Sequence, residues 1–131
     1  MSSVERWNIW HPLKSASGDF RVHSFVDVLY NFEIYLFNEV DQRIIFGFGE
    51  SVLGYRVSQE ICTMQTQAAI SARYGDDFLT QSIFFKVTNS MYIKELDLED
   101  TKKQAAQHFV FFDIDSMVDV IAMEEPAISW S

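Results

Sequence analysis

The pattern of apolar and polar positions divides the chain into short strands with one helical interlude. Residues 107–122, QHFVFFDIDSMVDVIA, carry the densest apolar run. Phe109, Val110, Phe111, Phe112 and Ile114 come first, Asp113, Asp115 and Ser116 interrupt, and Val118, Val120 and Ile121 resume. Apolar runs of this length around turn-forming residues predict a buried strand, a tight acidic turn and a second strand. Residues 31–38 alternate cleanly, with Phe32, Ile34 and Leu36 on one face and Glu33, Tyr35 and Phe37 on the other. Residues 19–28 alternate as well: Phe20, Val22, Ser24, Val26 and Val28 oppose Arg21, His23 and Asp27. After a turn at 39–42, a strand is expected over 43–48, where Gly47 and Gly49 mark a bulge or a close backbone approach. Another follows over 52–57 and contains Gly54.

In the second half, residues 81–88 and 91–96 read as paired strands joined by a two-residue Asn89-Ser90 turn. Ile128 and Trp130 suggest a last edge strand, and residues 98–107 a polar loop with a short helical turn. The helix is expected over 58–74. Ser58 would be its N-cap, Glu60 would sit in its first turn, and Ile61, Met64, Ala68 and Ala72 would form its apolar stripe. Gly75 suits the position just past its end. Near the start of the chain, Trp7, Ile9 and Trp10 are expected to dock onto the body, followed by a loop at 15–18. These elements predict an α+β fold: a mainly antiparallel β-sheet, curved, with one principal helix packed on it. Residues 1–131 fit a single domain.

Composition strengthens the sheet reading. Twelve Phe, five Tyr and three Trp make 15 % of the chain aromatic, and such residues pack well across strands. The net charge of −9 is uneven. Residues 1–65 hold eight acids and five bases; residues 66–131 hold eleven acids and five bases. Nucleic acid and anionic membrane are therefore not expected as partners, because phosphate binding needs a basic surface. A basic protein is the natural complement. Cys62 is the only cysteine, so no disulfide can form within the chain. With neither a secretion signal nor an apolar run near the ~20 residues of a membrane span, a soluble cytoplasmic protein is expected.

Candidate chemistry adds little. His11, His23 and His108 show no metal-ligand spacing, and His23 and Asp27 on a strand would lie about 13 Å apart. A Cys62 thiolate paired with His108 or His23 would need a base or a helix start to activate it, whereas a lone cysteine more often packs as a small hydrophobe. Neither a nucleophile-elbow motif nor a phosphate-binding glycine loop occurs. No cofactor or metal is expected. The acids clustered near the C-terminal hairpin, Asp113, Asp115, Asp119, Glu124 and Glu125, are the candidate partner-binding residues. A solvated acidic turn is the plain alternative.

Two stretches resemble small β-rich bacterial immunity proteins, which protect a cell from toxins of its own kind. SFVDVLYNFEIYLFN, residues 24–38, is similar to the Ser-Phe-His-Asp approach to a first hairpin in such families, with Val26 at the His position. SMVDVIAMEEPAISW, residues 116–130, is similar to their closing strand pair. The resemblance implies a non-enzymatic toxin inhibitor that acts by stoichiometric binding, and carries no site residue across. The alternatives are a small-molecule-binding or enzymatic β domain with an aromatic-lined pocket, and a structural subunit that assembles through its Trp-bearing ends.

Overall fold

The computed structural model describes residues 4–13, 20–29, 31–59, 63–113 and 116–130. Among them the strands are β1 (Arg6–Ile9), β2 (Arg21–Val28), β3 (Asn31–Phe37), β4 (Arg43–Gly49), β5 (Val52–Gln59), β6 (Phe84–Thr88), β7 (Gln107–Phe112), β8 (Ser116–Ala122) and β9 (Ala127–Trp130). The helices are α1 (Met64–Tyr74), α2 (Met91–Glu95) and α3 (Asp100–Ala105), with one 3-10 turn at Phe78–Thr80. The α+β class holds, and its sheet is two sheets. The first runs β1-β6-β7-β8-β5 and the second β2-β3-β4-β9, all antiparallel.

The second sheet is a meander closed by the last strand. Its inward face alternates as the sequence does: Phe32, Ile34 and Leu36 on β3 lie with Ile44, Phe46 and Phe48 on β4, all 4 % exposed or less. Asn38 shapes the β3–β4 turn, its Oδ1 accepting from the amides of Val40 and Gln42 at 3.1 and 2.9 Å. A bulge does occur at the glycines of β4. Phe32 pairs with Gly49 and Glu33 with Gly47, leaving Phe48 as the extra residue. Gly49 has φ +60, in the left-handed region that glycine enters at no steric cost. A second irregularity, between Val22 and Ser24, resets the alternation expected for β2, so that Phe25 rather than Ser24 comes opposite Ile34.

The inward face of the first sheet meets this one in a phenylalanine core. Phe46 lies 5.3 Å from Phe84 and 5.1 Å from Phe111, and Phe48 lies 5.4 Å from Phe109, between ring centroids. Trp10 fits between the sheets, with Phe46, Phe84, Phe109 and Phe111 all within 6.1 Å of its ring. Its neighbour Trp7, on β1, faces the other way and packs on Phe85 and Phe112. Both tryptophans therefore dock onto the body, on opposite sides of the first sheet.

The outer face of that sheet carries the helices. Trp7, Phe85, Val87, Val110, Phe112 and Met117 pack under α1 and the 3-10 turn through Ile70, Tyr74, Phe78 and Leu79. The helix differs from the expectation in two ways. Ser58 belongs to β5, paired with Met117, and Thr63 takes the N-cap position. The stripe Met64, Ala68 and Ala72 faces solvent; the packed face is Thr63, Gln67, Ile70 and Tyr74. Four residues at helical spacing that end in an isoleucine and a tyrosine bury more apolar surface than a methionine and two alanines. Ile61, Glu60 and Cys62 lie outside the described residues.

Residues 91–95 form a helix rather than the expected strand. Ser90 is its N-cap: the Oγ accepts from the Ile93 amide at 3.1 Å. Asn89, just before it, has φ +53 and turns the chain out of β6. Among the described residues no helix is long and apolar enough to cross a membrane.

Candidate functional site

On the β7–β8 hairpin, side chains alternate between the phenylalanine core and the helix-bearing face. Val110, Phe112 and Met117 of the latter serve the apolar half beneath α1. Farther along that face stand His108 and Asp119. The hairpin register pairs His108 with Ile121 and Val110 with Asp119, so His108 and Asp119 are diagonal neighbours on one face. His108 Nε2 lies 2.6 Å from Asp119 Oδ1. Arg56, on the neighbouring strand β5, donates from Nε to Asp119 Oδ2 at 3.1 Å. On the other side of the ring, His108 Nδ1 lies 2.7 Å from Ser90 Oγ.

These contacts form one chain: Arg56, Asp119, His108, Ser90 and the Ile93 amide. Ser90, His108 and Asp119 are 4 %, 3 % and 1 % exposed. A carboxylate can only accept, and Asp119 takes donors at both oxygens, so the imidazole carries its proton on Nε2. In the neutral ring Nδ1 is then an acceptor and receives the hydrogen bond of the Ser90 hydroxyl, while Ser90 Oγ accepts from the Ile93 amide. Every donor meets an acceptor, which is what makes a buried polar chain tolerable. Chemically it is a serine hydroxyl held on a base whose far side is held by a carboxylate.

Tyr92 of α2 completes the enclosure. Its ring stands edge-on to His108 at 5.8 Å, with the Arg56 guanidinium carbon 4.3 Å above it. Burial pushes the Tyr92 hydroxyl above its ordinary pKa; the Arg56 cation pulls the other way, and Asp119 and Glu95 add to the rise. Gly54 on β5 makes room: a Cβ there would sit 3.2 Å from Tyr92 Oη and 3.6 Å from Leu96 Cδ2. Ser90 and His108 also line a pocket of about 540 Å³, together with Asn89, Ile93, Lys94 and Lys103. Among the described residues, aromatic rings other than His108 do not line this pocket; Trp10, Phe20 and Phe84 line another, of about 210 Å³.

The residues expected to bind a partner are scattered. Asp113 is 6 % exposed: its Oδ2 accepts from the Val22 amide and its Oδ1 from the Ser116 amide, both at 2.8 Å. It thus ties the hairpin turn to the second sheet. Asp119 is interior, as described. Glu125 is exposed and ion-paired with Lys86, and Glu124 is exposed. Asp115 and Cys62 lie outside the described residues. The four described acids of that set, Asp113, Asp119, Glu124 and Glu125, are therefore not gathered onto one exposed face. Exposed acids cluster instead around the link between α2 and α3, at Glu95, Asp97, Glu99 and Asp100. His23 stacks on Phe37 at 4.3 Å, away from any acidic cluster.

Sequence reasoning missed the Ser90–His108–Asp119 chain because no motif spans separations of 18 and 11 residues. One signal was present. In a hairpin centred on residues 113–116, His108 and Asp119 fall diagonally on one face, about 7–8 Å apart along the sheet and within reach of long side chains. Comparison with protein-family models, with curated proteins and with solved structures finds no match to this chain.

Proposed function

We propose that this chain is a binding protein of the immunity type, working in the cytoplasm and neutralising a bacterial toxin by stoichiometric, non-catalytic contact with an acidic surface. The observation that supports this reading best is the exposed run Glu95, Asp97, Glu99 and Asp100. It spans two short helices, of which α2 is held to the first sheet through Ser90 and Tyr92 against His108. Clustered acids favour fast encounter with a basic partner. The same charge disfavours nucleic acid as a partner.

The test is a capture experiment with tagged protein in lysate of the source organism, at low and at high salt. A basic protein retained at one-to-one stoichiometry and released by salt is the expected result. With that partner in hand, the charge reversal Glu95→Lys, Asp97→Lys and Glu99→Lys should weaken binding at least about tenfold, in line with the measured worth of close interfacial charge pairs. Unchanged affinity and salt dependence in that variant would sink the acidic-surface mechanism. Asp113→Lys is unsuitable, because Asp113 holds the hairpin turn.

The alternative, a small-molecule-binding or enzymatic domain, is favoured by one observation: Ser90 and His108 both line the pocket beside α2. Copurification of a small molecule, read by mass spectrometry of the native protein, distinguishes it from the protein-binding reading.

A further inference from the structure

We propose that Ser90 is a nucleophilic serine, activated by His108 and Asp119, and that the pocket beside it admits a small carboxylic ester. This activity is separate from any toxin binding. Three observations carry it. The first is the geometry of the array: 2.7 Å from Ser90 Oγ to His108 Nδ1 and 2.6 Å from His108 Nε2 to Asp119 Oδ1. Nucleophile to base and base to carboxylate are both at hydrogen-bond reach, the arrangement acyl transfer requires. The roles of the two ring nitrogens are set by their partners, and Nδ1 serves as the base here.

The second is a pocket whose wall two of these buried residues reach. Ser90 and His108 line a pocket of about 540 Å³, within the size range of small-ligand sites. Lys94 and Lys103 line it too, charge of the sign that a developing oxyanion needs. The third is the backbone. Ser90 follows a strand and opens a helix, and the residue before it, Asn89, has φ +53. Asparagine enters the left-handed region readily, so this turn places Ser90 at the junction of strand and helix, beside His108.

The step balances without a further reactant. Ser90 Oγ forms a bond to the ester carbonyl carbon as its proton passes to His108 Nδ1. The C–O bond to the leaving alcohol breaks, and that alcohol takes the proton from Nδ1. Water then repeats the sequence on the acyl-serine, releasing the acid and restoring Ser90. Asp119 holds the ring and offsets the charge of the transient imidazolium.

The experiment treats the folded chain with a fluorophosphonate probe and locates the adduct by peptide mass spectrometry. A single adduct on Ser90 is expected. It should form at least about tenfold more slowly in His108→Gln, since general-base assistance is typically worth 10²–10⁴-fold. Ser90→Asn keeps a capping side chain for α2 and should abolish labelling. Hydrolysis of p-nitrophenyl acetate should fall in parallel in both variants. An unlabelled wild-type protein, or an adduct mapped to any other residue, overturns the proposal, and neither result depends on a variant folding.

Discussion

Asp119 is 1 % exposed and accepts from both Arg56 and His108. Removing it would leave a buried imidazole and a cation without their acceptor. Arg56 is half-exposed and can turn to water, so the cost is mainly that of a buried imidazole N–H left unsatisfied, about 1–3 kcal/mol. Asp119→Ala should therefore lower the unfolding free energy by about that much, read from the urea midpoint. The exposed pair Lys86–Glu125 is the internal control, since surface pairs are worth only about 0–1 kcal/mol. Tyr92 gives a pH-dependent counterpart. Its folded pKa lies above the ordinary 10.0, so the unfolded chain loses that proton first. The stabilisation is complete below pH 10 and is lost as pH rises through the folded value. Tyr35 and Tyr55 are raised in the same direction by hydrogen bonds to Glu33 and Asp27. Tyr92→Phe should thus reduce, without abolishing, the fall in stability between about pH 9 and about pH 11, as measured by urea denaturation.

Among the elements, α2 depends most on a neighbour's composition. It lies against β5 where Gly54 leaves space, and an alanine Cβ would come within 3.2 Å of the Tyr92 hydroxyl. Gly54→Ala should push α2 outward at a cost of about 1–3 kcal/mol, the usual range for overpacking. The checks are a lower thermal midpoint and faster amide exchange at Ile93 and Lys94. This element also marks the limit of what the pattern revealed. Strands with clean alternation or dense apolar runs, β3, β4, β7 and β8, were legible because one face must be buried. The stretch at 91–96 was not, because six residues are too few for helical periodicity to differ from strand periodicity. Its cue was Ser90, a good N-cap that reads equally well as a turn residue. The packed face of α1 was hidden for a related reason: Thr63 and Gln67 are polar, and only the sheet beneath shows which way they turn. Asp113 and Asp119 were legible as acids but not as interior ones, since burial depends on partners from distant strands.

For the whole molecule, the two sheets are held by one aromatic layer, and Trp10 touches both sides of it. Trp10 is half-buried, so Trp10→Ala should cost about 2–3 kcal/mol, below the range for a fully buried aromatic. Both sheets should lose stability together, so circular dichroism and fluorescence transitions should stay coincident. The strand order has a consequence for synthesis. β2, β3 and β4 are consecutive and can pair as soon as they leave the ribosome. The first sheet cannot be completed until β8 exists, because β5 pairs only with β8 across the whole 52–122 interval. The early meander would meanwhile display the faces of Phe32, Ile34, Leu36 and Phe46 with nothing to cover them. Pairings this remote in sequence put folding on the order of milliseconds to seconds. For its nascent chain, the period before β8 emerges is the one in which a chaperone matters most.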